Sequence, residues 1–357
     1  MASPSTPRPV SRKGSARRLP LLGDPLDRPI CMEIRSRIKQ AKKIVILGHE
    51  RPDGDCIGST LALGAILAKL GHAVQVVVAD KIPERFHFLD GKDLLHRIAP
   101  GQPLNADLIL VLDTTGLDRL GSITQEMFGT GTVVNIDHHI SNTNFGVINW
   151  VDSTAAAAGE LIWRLAACCG WPVPAMALEA LYTALVTDTG QFAYSNTTPR
   201  ILRMAAELVE AGVDPEATWR RIFLNKRQAE LTLEARARNS LEVWADGKVA
   251  SIAISQKDFN ATHTGPEVTQ EFAGIPRALA GAKLALFFYE VDGGKTTKIS
   301  IRSVREIDAC ALAQQFGGGG HRQAAGCSIH APVKEAIKRF RPAAEQAVAN
   351  AREERAS

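Results

Sequence analysis

No stretch of the 357 residues approaches the roughly 18 uninterrupted apolar residues of a membrane-spanning helix, so no membrane partner is expected. Aromatic residues make up only 6% of the chain, so its cores must be aliphatic and alanine-rich. Six cysteines (Cys31, Cys56, Cys168, Cys169, Cys310 and Cys327) lie scattered with no CxxC pair. That excludes a disulfide framework or a zinc ribbon and points to a reducing, cytoplasmic compartment. A large excess of one charge is missing too. Residues 1–20 carry Arg8, Arg12, Lys13, Arg17 and Arg18 and no acid; the rest of the chain sets 37 basic against 38 acidic residues. A protein that tracks long nucleic acid carries a large basic excess, so any nucleic-acid substrate here is short or gripped locally. Residues 1–20, rich in Ser, Pro and Arg, lack the apolar centre of a secretory signal and read as a disordered tail.

What is present is alternation. Apolar runs at 44–47, 74–79, 108–112 and 132–136 read as short buried strands, with a helical stretch at 57–70 between the first two. Strands separated by helices imply a parallel sheet with helices on both faces. Helical patterns follow at 154–169, 175–186 and 198–211, another opens at Asp214-Pro215, and residues 225–240 read as a polar connector. The second half alternates again, with strands at 249–254, 284–289 and 298–302. It then shows a helix at 307–316 and a final helix at 331–352 interrupted by Pro342. The fold class is therefore α/β, a parallel-sheet domain followed by a smaller α/β domain across a cleft.

Residues that carry chemistry sit where strands end. His49, Asp53 and Asp55 follow the first strand within seven residues; Asp113 ends the third; Asp137, His138 and His139 end the fourth; Asp188 closes a helix. In open parallel sheets functional groups gather beyond the carboxyl ends of strands. Carboxylates this close repel one another unless a cation lies between them. The donor set, oxygen and imidazole with no clustered cysteine, suits divalent ions such as Mn²⁺ or Mg²⁺. It exceeds the needs of one ion, and a shared carboxylate could bridge two at about 3.5–4 Å, the arrangement for in-line phosphoryl hydrolysis. In the second half, Gly317, Gly318, Gly319 and Gly320 expose amides suited to phosphate oxygens, His321 adds a donor, and Arg302 upstream can clamp a phosphate.

Together these residues resemble the motifs of the DHH phosphoesterases. KISIRS at 298–303 and GGGGHRQAAG at 317–326 resemble the DHH-associated domain, and the likeness spans about residues 30–345. Within the family the length and domain pairing are most similar to the stand-alone bacterial oligoribonucleases of the NrnA type. The resemblance implies a basic tail at 1–28, a DHH catalytic domain at 29–224, a helical linker at 225–240 and a substrate-binding domain at 241–348. It implies a two-metal enzyme that hydrolyses short oligoribonucleotides to mononucleotides and dephosphorylates 3′-phosphoadenosine 5′-phosphate (pAp) to AMP. Cyclic or linear di-AMP hydrolysis is the alternative. The implied partners are short RNAs and small nucleotides, with a homodimer by analogy. The implied cofactors are two divalent ions, Mn²⁺ first, with Mg²⁺ or Co²⁺ as substitutes. By the same resemblance His49, Asp53 and Asp113 hold one ion, and Asp55, Asp113, His138 and Asp188 the other. Asp137 orients the histidines, His139 faces the scissile phosphate, and Arg302, His321 and Gly317–Gly320 bind the far end of the substrate. One residue departs from the family pattern: Cys56 stands where a small alanine is common, a position not needed as a ligand.

Overall fold

The computed structural model describes residues 25–353 apart from Asp90, Lys92, Pro100 and Gln270, with backbone alone at Pro25, His321, Arg352 and Glu353. Most of the expected basic tail, residues 1–24, lies outside the described residues. Internal packing divides the chain into two units that meet between Arg221 and Ile222.

In the first unit, helix α1 (Arg28–Gln40) precedes strand β1 (Lys43–Leu47), helix α2 (Gly54–Lys69), β2 (Ala73–Val77), β3 (Leu95–His96), β4 (Leu108–Leu112), β5 (Thr132–Asp137) and β6 (Ile148–Val151). Helices α3 (Ala158–Cys169), α4 (Ala175–Asp188), α5 (Pro199–Glu210) and α6 (Pro215–Phe223) follow. The six strands are all parallel, in the order β3-β2-β1-β4-β5-β6. β1 pairs on one side with β2 and on the other with β4, so the winding reverses there. That reversal opens a crevice at the strands' carboxyl ends. β4 is buried along its whole length, as a central parallel strand covered on both faces must be.

The two covers differ in kind. α2 is buried from Gly54 to Leu67, and a helix that is apolar all round belongs inside a protein. It packs on the sheet through β1, β2 and β4, and on α3 and α4. The opposite face is closed by two single 3₁₀ turns, Leu117–Leu120 and Gln125–Phe128. Their Leu120, Met127 and Phe128 pack with Val45, Ile109 and Val111. β3 and β6, two edge strands, were not anticipated from the sequence. Asp27, inside the expected tail segment, is buried and takes hydrogen bonds from both Nε and Nη2 of Arg164 on α3, at 2.7 and 2.6 Å.

The second unit runs through α7 (Gln228–Asn239), β7 (Glu242–Trp244), β8 (Val249–Ile254), α8 (Gln256–Thr262), α9 (Gly274–Arg277), β9 (Leu284–Val291), β10 (Thr296–Ser303), α10 (Ala309–Gln314), β11 (Gly319–His321), β12 (Ala324–Ile329) and α11 (Val333–Glu353). Its mixed sheet has the order β11-β12-β10-β9-β8-β7, in which only β8 and β9 run parallel. α7, within the segment read as a connector, buries Leu233 and Ala237 against Ile252, Phe259 and Phe287 of this sheet's layer. The expected break at Pro342 does not occur. α11 continues through it, because Ala336, Phe340, Ala344, Val348 and Ala351 seat its inner face on the sheet. Among the described residues no helix is long and apolar enough to cross a membrane.

Candidate metal centre

Every sequence-predicted residue of the first half reaches one place, the carboxyl rim on either side of the β1–β4 reversal. His49 leaves β1 with its Nδ1–H donated to the Glu50 carbonyl at 2.7 Å. That fixes the tautomer and turns Nε2 toward the carboxylates. From Nε2, Asp113 Oδ2 is 3.5 Å away and Asp53 Oδ1 3.8 Å. The Asp53 side chain is 48% exposed and caps α2, its Oδ1 accepting the amides of Asp55 and Cys56 at 3.1 Å each.

Asp113 lies directly after β4 in the left-handed region, with φ of 53°. Such a conformation is costly for a residue with a Cβ and least so for Asp and Asn, and non-glycine examples gather at functional sites. The Asp113 amide is held by the Ile136 carbonyl at 3.1 Å, which points the buried carboxylate into the crevice. Its Oδ1 has no hydrogen-bond partner, and neither has His138 Nε2, 3.4 Å away. His138 Nε2 is also 3.6 Å from Asp55 Oδ2 and 3.7 Å from Asp188 Oδ2.

These separations are too long for hydrogen bonds. Two donors each about 2.1 Å from one ion stand roughly 3–3.5 Å apart, so the spacing fits a cation shared among them. Buried polar atoms without partners are rare and call for an explanation, and a cation supplies one. The donors close enough to share an ion form three overlapping groups: Asp113 with Asp137, His138 and His139; His49 with Cys56 and Asp113; and Asp55 with His138 and Asp188.

Electrostatics agree. Burial, with Asp113 and Asp188 nearby, pushes the Asp55 carboxyl well above its usual range. Burial raises Asp188 to about 7; His138 opposes this, while Asp53 and Asp113 add to it. Burial works against charge on His138 too, but Asp113, Asp188 and Asp55 outweigh it and hold the imidazole protonated well above its normal range. Burial likewise acts to raise Asp113, and His138 and His49 reverse that, keeping its carboxylate below the usual range. Without a cation, protons are what make this many acids compatible with one another.

The remaining residues position the donors. Asp137, fully buried at the end of β5, accepts the His138 amide at 2.8 Å and His139 Nδ1 at 2.7 Å on Oδ1, and Asn142 Nδ2 at 2.6 Å on Oδ2. Oδ1 thus holds the His138 backbone and the His139 ring, while Asn142 steadies the carboxylate through Oδ2. Asn142 Nδ2 also reaches Asn135 Oδ1 (2.8 Å) and the Thr114 carbonyl (3.0 Å), tying the loop after β5 to the loop after β4. Sequence reading missed Asn142 and Asn135, whose only signal is position near the motif. Asp55 is gripped by the first amides of α3: Ala158 N to Oδ2 at 2.6 Å and Gly159 N to Oδ1 at 2.9 Å. The N-cap of α3 is Ala157, which has no side chain to cap with, and Asp55 takes that role from 103 residues away.

In the second unit, Arg302 lies on β10, and the backbone of His321 closes β11; the His321 side chain lies outside the described residues. Arg302 lines a recess of about 340 Å³ with Arg277, Lys283 and Arg305, cations that the sequence reading did not single out. The expected four-amide cradle is narrowed. The Gly317 amide bonds to Gln314 O at 3.1 Å and the Gly318 amide to Ala313 O at 3.0 Å, closing the C-terminus of α10. Gly319 and Gly320 are in the edge strand β11, paired with Gly326 and Ala325.

A doubly wound sheet with this rim of aspartates and histidines defines the chain's class. Residues 43–185 match the DHH family, N-terminal domain, and residues 248–350 match the DHHA1 domain. The chain belongs to the DHH family of phosphoesterases, metal-dependent hydrolytic enzymes. It is 34% identical over 298 residues to the bifunctional oligoribonuclease and PAP phosphatase NrnA of Thermus thermophilus, covering 80% of this chain and 84% of that protein. To the protein of the same name from Bacillus subtilis it is 26% identical, covering 80% and 89%. The crystal structure of an exopolyphosphatase-related protein from Bacteroides fragilis superposes with a TM-score of 0.83 at 27% identity, covering 89% and 96%.

Proposed function

We propose that this protein hydrolyses short oligoribonucleotides to mononucleotides and converts pAp to AMP, using two divalent cations, Mn²⁺ first. The observation that carries the reading is the pair of unpartnered buried atoms, Asp113 Oδ1 and His138 Nε2, between Asp55 and Asp188. The substrate class is supported by the likeness to two proteins named for both activities. The small charge imbalance outside residues 1–20 fits a short substrate better than a long one.

In this reading His49, Asp53 and Asp113 hold one ion, and Asp55, Asp113, His138 and Asp188 the other, with Asp113 common to both. When bound, the ions supply a water acidified to neutral pH and positive charge for the phosphoryl oxygens. The chain's own residues do the rest. Asp137 and Asn142 hold His138 and His139 in register. His139, its Nδ1 held by Asp137 at 2.7 Å, would face a phosphoryl oxygen through the other edge of its ring. Domain limits at 29–224, 225–240 and 241–348 assign catalysis to the first unit. Arg302, His321, Gly319 and Gly320 then bind the non-reacting end of the substrate.

The test is a substrate panel with Mn²⁺: pAp, di- to heptanucleotides, linear and cyclic di-AMP, and pyrophosphate. Dinucleotides and pAp are expected to be the best substrates. Faster turnover of cyclic di-AMP or pyrophosphate than of either would overturn the reading. Arg302→Ala is expected to raise KM for a dinucleotide about tenfold or more, the loss of one charge-assisted bond, and to change a chromogenic phosphodiester much less. Equal losses on both would contradict a positioning role.

A further inference from the structure

The residue that departs from the family pattern, Cys56, lies inside the donor cluster. Its Sγ, a ring nitrogen of His49 and an oxygen of Asp113 all lie within 4.8 Å of one another. A buried free cysteine usually behaves as a small apolar side chain. This one, fully buried on the first turn of α2, has an imidazole nitrogen and a carboxylate as neighbours. Its Sγ lies 4.0 Å from the His49 carbonyl. Asp113, 97% buried, faces this cluster through Oδ2, which stands 3.5 Å from His49 Nε2, too long for a good hydrogen bond and suited to a shared cation. His49 donates through Nδ1, which leaves Nε2, facing Asp113, as the ring nitrogen open to a cation once its proton is lost.

We infer that Cys56 is a metal ligand, so that His49, Cys56 and Asp113 form a mixed nitrogen, sulfur and oxygen seat for a borderline divalent cation such as Zn²⁺ or Co²⁺. The inference rests on the two-metal reading above and deepens it by making the two seats unlike. Asp55, His138 and Asp188 offer only oxygen and nitrogen and suit Mn²⁺ or Mg²⁺. A thiolate at the other seat shifts selection toward softer ions. On binding, a sulfur–metal bond forms and the thiol proton leaves to solvent. The α2 N-terminus favours the negative charge that the sulfur keeps.

The test uses the full chain freed of metal and loaded with Co²⁺, with uptake measured by equilibrium dialysis. Wild type is expected to show the near-ultraviolet charge-transfer band of a cobalt-bound thiolate. Cys56→Ala and Cys56→Ser are expected to take up Co²⁺ without that band. Zn²⁺ affinity should fall about tenfold or more in Cys56→Ala, with Mn²⁺ affinity changed far less. Co²⁺ uptake by wild type without the band, or a band that survives in Cys56→Ala, overturns the inference and leaves the metal centre standing. No uptake of Co²⁺, Zn²⁺ or Mn²⁺ by wild type overturns both.

Discussion

Asp113→Ala is expected to lower turnover of dinucleotide, pAp and a chromogenic phosphodiester alike by on the order of 10³-fold or more, about 4 kcal/mol in the barrier. The size follows from position. Asp113 belongs to two of the three donor groups, facing His49 at 3.5 Å through Oδ2 and His138 at 3.4 Å through Oδ1. Removing it weakens both seats together, whereas loss of Asp53 or Asp188 touches one. Uniformity across substrates is the diagnostic feature, because a residue that recognises substrate would discriminate among them. Stability serves as the control. Alanine at a φ of 53° costs about 1–2 kcal/mol, so the denaturation midpoint should fall modestly while activity collapses. A variant that keeps more than a few per cent of wild-type turnover would remove Asp113 from its shared role.

Asp113 also illustrates what the sequence made legible. β1, β4 and β5 announce themselves as apolar runs, and each hands over to Asp or His at its carboxyl end. Once strands alternate with helices, the side on which those residues gather follows from the handedness of parallel crossovers. The rim was therefore readable residue by residue. What was not readable depends on partners far apart in the chain. Nothing near residue 55 says that the amides of Ala158 and Gly159 will grip it. Asn142 becomes significant only once β5 ends beside the loop after β4. Pro342 misled for the opposite reason. Local propensity says break, and burial of the inner face of α11 overrides it. The glycine run was read for its exposed amides, whereas a helix cap engages two of them.

The grip on Asp55 can be tested where it is tightest. Gly159 is in the first turn of helix α3, where helix propensity favours Ala over Gly. Here the opposite sign is expected. A Cβ on Gly159 would stand 2.5 Å from Ala184 Cβ on α4 and 3.4 Å from Asp55 Oδ1. The first distance forces α3 away from α4, and such overpacking costs about 1–3 kcal/mol. A shift of α3 carries with it the 2.6 and 2.9 Å bonds to Asp55, the residue whose Oδ2 faces His138 at 3.6 Å. Gly159→Ala should therefore lower the denaturation midpoint of the metal-free protein and also weaken Mn²⁺ binding, measured calorimetrically, by about tenfold or more. Gly159→Val should do both more strongly. The two readouts separate packing from positioning. A loss of stability with unchanged Mn²⁺ affinity would mean that α3 merely fills space beside Asp55. A loss of both would mean that the helix start, uncapped by its own Ala157, sets the direction of a ligand that local sequence alone leaves unconstrained.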